Sequence, residues 1–146
     1  MRDLSHTVKD MKLDRDVKIK NYVTEQELAR LYKNASFFVY PSIYEGFGLP
    51  LVEAMSYGLP ILTSNSSAMP EVVGEAGILV DPLNAESIAD GLRLLITDDR
   101  TRLDLAKKSI ERAACFTWKK TVQIIWSLFK SMLVTETSHP HIKSDL

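Results

Sequence analysis

The sequence predicts an α/β fold, a parallel sheet with helices on both faces that passes into a helical C-terminus. Three observations carry this expectation. Short apolar runs alternate with helical periods from Val17 to Ile96. Two of those runs, Ser36 to Tyr40 and Pro60 to Thr63, are continuous, as strands covered on both faces are. Finally, the last third of the chain holds helical spacing.

The elements follow in order. Ser5 to Lys12, with Val8 and Met11 three apart, reads as a short helix, and the alternating Val17 to Lys20 as a strand. Thr24 followed by Glu27 is a capping box, which opens a helix over residues 25–33 with Leu28, Leu31 and Tyr32 as its buried stripe. The strand Ser36 to Tyr40 stops at Pro41. A loop over residues 41–49 leads to Pro50, which suits the first position of a helix that Gly58 ends. Pro60 to Thr63 is the next strand, Pro70 to Val73 a single helical turn, and Gly77 to Val80 a fourth strand.

Two amphipathic helices follow, the first with Ala85, Ile88, Leu92 and Leu95 on one face, the second with Leu103, Ala106, Ile110 and Ala113. Thr117 caps a final helix, which is apolar around more than the stripe of ~100° that a surface helix needs. That helix wants more than one partner surface. The expected organisation is one domain over residues 1–134 and a flexible tail over residues 135–146.

Composition narrows the class of partner. The 146 residues carry 18 Lys plus Arg against 19 Asp plus Glu, a net charge of -1 without a block of like sign. Such a balance offers no footprint for nucleic acid. No apolar run approaches the ~20 residues that span a bilayer, so no integral membrane segment is expected. A single cysteine and the lack of a secretory leader pattern point to the cytoplasm. A domain of this size removes roughly 70% of its unfolded surface from water, enough for a true core.

The chemistry concentrates in residues 41–55, PSIYEGFGLPLVEAM. In an open parallel sheet ligands bind at the carboxyl ends of strands, and this loop leaves such an end and enters a helix. Gly46 and Gly48 allow close backbone approach, and the amides of residues 49–52 at the helix start form an anion site. Glu45 and Glu53 are poor phosphate ligands but good acceptors for hydroxyl groups, so the pair fits a ligand with both phosphate and sugar. Spacing alone leaves open a plain Gly-Pro turn, with Glu45 solvated and Glu53 in the first helical turn, favoured by the helix dipole.

Asn21 to Thr24, Pro41-Ser42 through Glu53-Ala54-Met55, Gly58, Pro60, Ser64-Asn65, Pro70-Glu71-Val72, Gly74 and Asp81-Pro82 together resemble the donor-binding half of group 1 retaining glycosyltransferases. Residues 1 to about 133 take part, and the Glu-x7-Glu pair Glu45 and Glu53 is the most specific element. The resemblance implies a partial C-terminal domain of the GT-B fold, with a Rossmann-like sheet, and the transfer of a sugar from a nucleotide diphosphate sugar to an acceptor. A role in polysaccharide or glycoconjugate synthesis follows from it.

Carried over by position, Glu45 would be the catalytic-centre carboxylate that contacts donor sugar hydroxyls. Glu53 would accept from the ribose. Backbone amides of Gly46, Phe47, Gly48 and Leu49 would hold the sugar and distal phosphate, and Val23 would lie against the base. The nucleotide sugar is a substrate, and neither a metal nor a resident cofactor is implied.

The resemblance also implies an Arg and Lys pair that clamps the diphosphate and an acceptor-binding domain, and the matching segments include neither. The expected partner is therefore that domain, or a second copy meeting the last helix through its Trp126 and Phe129 face. Without one of these, the alternative is an inactive nucleotide-binding or scaffolding domain. The resemblance places two family strands between Val17 to Lys20 and Ser36 to Tyr40. With those strands missing, the two flanking strands are expected to pair directly, leaving residues 36–40 central.

Several features read as structural. Asp14-Arg15-Asp16 is a turn rather than a metal motif, and Cys115 a small buried residue. His139 and His141 belong to the tail, His6 has no evident partner, and Tyr44 and Tyr57 read as packing groups, with Tyr44 bordering the site.

Overall fold

A computed structural model describes residues 4–136, and the two tail histidines lie outside them. The chain forms two compact units, residues 1–34 and 35–146.

In the first unit, helix α1 (Leu4–Asp10) buries Val8, and His6 Nδ1 meets Asp10 Oδ2 at 2.9 Å, one turn along the same helix. Asp14 to Asp16 form a turn, as expected. Helix α2 (Glu25–Asn34) starts where its cap predicts, with the Glu27 amide donating to Thr24 Oγ1 at 3.3 Å. Only half of the capping box forms, because the Glu27 carboxylate takes the Lys20 ammonium instead. Tyr32 is buried, whereas Leu31 is exposed.

Residues 17–20 are not a strand and pair with nothing in the sheet. Their Val-Lys-Ile-Lys alternation places a charge at every second position, and all four residues are exposed, unlike a parallel strand covered on both faces. The expected pairing with residues 36–40 is therefore overturned.

The second unit holds a three-stranded parallel sheet in the order β1 (Phe38–Tyr40), β2 (Ile61–Ser64), β3 (Gly77–Val80). β2 is central and fully buried, and β1 lies at an edge. The expectation that residues 36–40 stay central fails for the same reason: among the described residues β1 has one strand partner.

Helices cover both faces. Gly77 lies opposite Ile61, and a Cβ there would meet Val73 of α4 (Met69–Val73) at 3.1 Å. Ile78, one residue on, points the other way. On that second face a Cβ at Gly91 would stand 2.7 Å from Leu62, 2.9 Å from Val80 and 3.4 Å from Ile78, which seats α5 (Ala85–Thr97) there. Leu62, Val80, Leu95 and Leu105 form the centre of this layer, with Phe37, Ile78, Ile88 and Leu92 packed around it. Each buried side chain of this size contributes about 1.5–3 kcal/mol.

Helix α6 (Asp99–Ala113) closes the amino ends of the strands. Its buried Ser109 hydroxyl donates to the Leu59 carbonyl at 2.7 Å and lies 3.5 Å from that of Ala76, the residues leading into β2 and β3. The opposite end of the sheet is left to loops. Helix α7 (Trp118–Glu136) starts at its expected cap, where the Lys120 amide donates to Thr117 Oγ1 at 3.2 Å. Its large apolar residues from Trp118 to Leu133 are all exposed, Trp126 at 61% and Phe129 at 57%. Cys115 is exposed too, against expectation: it sits in the turn between α6 and α7, where Phe116 rather than Cys115 packs inward.

Candidate functional site

The strand-loop-helix unit that the sequence singles out stands at the carboxyl ends of β1 and β2. β1 ends at Tyr40, the loop runs from Pro41, and helix α3 occupies Leu49–Ser56. Gly48 is its N-cap, with φ 88° and ψ 54°, a left-handed conformation that a side chain resists. Crowding adds to this, since a Cβ at Gly48 would meet Leu51 Cδ1 at 3.1 Å. Gly46 differs: a Cβ there would have nothing within 4 Å. Space rather than fold geometry accompanies that glycine.

The row of open amides expected over residues 49–52 is smaller in the structure. Pro50 has no N–H, and the Leu51 amide donates to the Gly48 carbonyl at 2.9 Å. Pro50 and Leu51 thus drop out of that row, and the glycine-rich turn Gly46 to Gly48 adjoins Leu49, the first residue of α3.

Glu45 is half-buried and far from passively solvated. The Tyr40 phenol donates to its Oε1 at 2.6 Å and the Ser42 hydroxyl donates to the same oxygen at 2.9 Å. Both hydrogen bonds hold the Glu45 carboxyl below its ordinary pKa, the Tyr40 bond most strongly, and the same bond pushes the Tyr40 phenol up. The side chain is thus an ionised acceptor fixed at one oxygen.

Loop 41–48 is also stapled by its backbone to the residues leaving β2. Ser64 Oγ donates to the Ser42 carbonyl, and Ser66 Oγ to that of Ile43 at 3.1 Å. Ser67 Oγ donates to the Glu45 carbonyl at 2.5 Å and accepts from the Glu45 amide at 3.2 Å. Tyr40, Ser66 and Ser67 were not among the sequence-predicted site residues. The signal for the serines was the polar run Ser64-Asn65-Ser66-Ser67 directly after a buried strand, at the sheet end where ligands bind.

Glu53 is exposed on α3, at the fifth helical residue. It therefore lies beyond the first turn, where a carboxylate gains from the helix dipole, and the plain structural reading loses that support. Phe47 is 41% exposed and packs edge-on against Phe116, centroids 5.6 Å apart. Tyr44 projects from the loop at 79% exposure, so it is not the packing group expected. Glu45, Gly46, Phe47, Gly48, Leu49 and Glu53 thus share one loop-helix unit. Val23 belongs to the first unit, half-buried in a segment without strand pairing, not at a strand end as expected.

An ionised acceptor beside a turn of small residues and open amides can take hydroxyl donors and an anion side by side. Among the described residues no group of three His, Cys, Asp or Glu comes together to hold a metal. No described helix is long and apolar enough to cross a membrane.

Residues 2–112 match the family model of group 1 glycosyl transferases. The chain belongs to this family. It is 41% identical over 110 residues to O-antigen chain mannosyltransferase B of Escherichia coli, a match covering 75% of the chain and 29% of that protein. Among solved structures, a sucrose-phosphate synthase from Thermosynechococcus elongatus superposes with a TM-score of 0.81 at 28% identity, covering 92% of the chain and 34% of the synthase. Anabaena HepE in complex with UDP and glucose superposes at 0.79 and 23% identity, covering 88% and 35%, a likeness of fold. The chain therefore spans about a third of each, and its α/β unit is a part of the GT-B architecture.

Proposed function

We propose that this chain is the donor-binding portion of a retaining glycosyltransferase, which takes a sugar from a nucleotide diphosphate sugar for polysaccharide or glycoconjugate synthesis. The observation that carries the reading is Glu45, held ionised by Tyr40 and Ser42 next to the Gly46 to Leu49 turn at the carboxyl end of the sheet. On this reading Glu45 accepts from hydroxyls of the donor sugar. Amides of Gly46 to Leu49 take the sugar and distal phosphate, and Glu53 accepts from the ribose.

In the transfer the bond between the anomeric carbon and the phosphate oxygen breaks, and an acceptor hydroxyl oxygen bonds to that carbon on the same face. The hydroxyl proton passes to the departing phosphate, and nucleoside diphosphate is released. Donors aimed at the developing phosphate charge lower the barrier. No resident cofactor enters this scheme.

The identity to a mannosyltransferase and the UDP and glucose bound by HepE support the substrate class. The exposed face of α7 supports a covering surface, an acceptor-binding domain or a second copy, as the remaining part of the working enzyme.

Calorimetric titration of the chain with UDP, GDP and ADP, beside Glu53→Ala, tests the proposal. Loss of a charge-assisted hydrogen bond to ribose is worth about 1.5–3 kcal/mol, at least a tenfold weakening. Binding of one nucleotide that Glu53→Ala weakens to this degree is the expected result. A folded chain that binds none of the three would contradict it.

A further inference from the structure

We infer that Tyr40 is a positioning residue for the donor sugar: with Ser42 it occupies Oε1 of Glu45, so that Oε2 is the oxygen presented to a sugar hydroxyl. This rests on the donor-site reading of loop 41–48. The argument begins with capacity. A carboxylate oxygen offers two lone pairs, and Oε1 already accepts from Tyr40 at 2.6 Å and from Ser42 at 2.9 Å. A further donor is directed to Oε2, which neither bond uses.

The second step is rigidity. A loop glutamate has three rotatable side-chain bonds, and binding through a free one requires freezing them. Here the phenol that holds it grows from the last residue of β1. The Tyr40 ring stacks on Phe38 with centroids 5.9 Å apart and planes 15° from parallel, and the Tyr40 carbonyl accepts from Thr63 Oγ1 at 2.7 Å. A strand residue thereby fixes a loop residue, and Ser67 fixes the same residue's backbone. The acceptor is set before ligand arrives, the condition under which a hydrogen bond adds most to affinity. The Tyr40 hydroxyl donates its hydrogen bond to Glu45, so in this proposal it acts through that carboxylate.

The test compares two affinities in each protein: UDP-glucose against UDP, and GDP-mannose against GDP. Loss of stability alone would lower both members of a pair together, whereas a positioning role acts on the sugar. Tyr40→Phe is expected to weaken the nucleotide sugar about five- to tenfold and leave the bare nucleotide within about twofold. Ser42→Ala, which removes the other donor from Oε1, should act in the same direction, and it serves by itself if Tyr40→Phe fails to fold. Tyr40→Phe with an unchanged sugar-to-nucleotide ratio would overturn the inference while the donor site stands. Wild-type chain that binds neither member of either pair would overturn both.

Discussion

One hydroxyl, Ser67 Oγ, closes on both backbone groups of Glu45: it lies 2.5 Å from the carbonyl oxygen and 3.2 Å from the amide nitrogen, across 22 residues of sequence. Ser67 itself holds φ at 56°, in the left-handed region that non-glycine residues rarely enter. A staple held in that conformation ties loop 41–48 to the loop leaving β2. Ser67→Ala should cost about 1 kcal/mol of stability and speed hydrogen exchange at the Glu45 amide. Unchanged exchange at that amide would show that the loop is held elsewhere.

The two loop glycines should separate fold from ligand. Gly48→Ala places a Cβ at φ 88°, 3.1 Å from Leu51 Cδ1, and should destabilise by about 1–3 kcal/mol. Gly46→Ala meets nothing within 4 Å, so the thermal midpoint should hold while nucleotide-sugar binding weakens. Calorimetric melting and titration of both variants check the pair. Equal losses of stability would contradict the assignment.

Acid should unfold the protein partly through two carboxylates. Glu45 is held below its ordinary pKa by Tyr40 and then Ser42, and Asp98 below its own by the Thr101 amide and hydroxyl at the start of α6. With folded pKa values below unfolded ones, their contribution is complete above the unfolded carboxylate range and is lost as pH falls through the folded values. The thermal midpoint of Glu45→Gln should therefore fall less steeply than wild type over that range. Parallel curves would remove Glu45 from the account.

Ser109 predicts a core defect. Its hydroxyl is buried and donates to the Leu59 carbonyl, so Ser109→Ala leaves that acceptor without this donor and should cost about 1–3 kcal/mol in denaturant unfolding. A loss near zero would mean that water or a backbone shift replaces the bond.

The exposed α7 face predicts association. Trp126 and Phe129 stand more than half exposed on a helix whose large apolar residues from Trp118 to Leu133 are all exposed, and apolar residues gathered in this way mark an interaction surface. Sedimentation should show mass rising with concentration, and Trp126→Lys with Phe129→Lys should abolish the rise. A monomer at every concentration would leave a separate acceptor domain as the expected cover.

Much of this architecture was legible in the residues. Continuous apolar runs gave β1 and β2, and Gly77 to Val80 gave β3 to the residue. Thr24, Gly58 and Thr117 marked helix ends that the structure keeps, because caps act locally. Residues 17–20 misled because their period of two is satisfied equally by a strand and by an exposed segment, and only pairing decides between them. Cys115 misled because composition ranks cysteine as buried, whereas the turn between α6 and α7 decides its exposure. At the site, Glu45 and the glycines were visible in the motif. Tyr40 was not, since a tyrosine ending an apolar strand looks like core until Glu45 is seen five residues on, beneath its hydroxyl.

The most direct test of the donor site is amide-resolved NMR of the chain titrated with UDP-glucose and with GDP-mannose. The account predicts that one of them shifts the amides of Glu45, Gly46, Phe47, Gly48 and Leu49 first and most, with the same midpoint at Glu53. Shifts centred on other residues, or none at millimolar ligand in a folded chain, would contradict it.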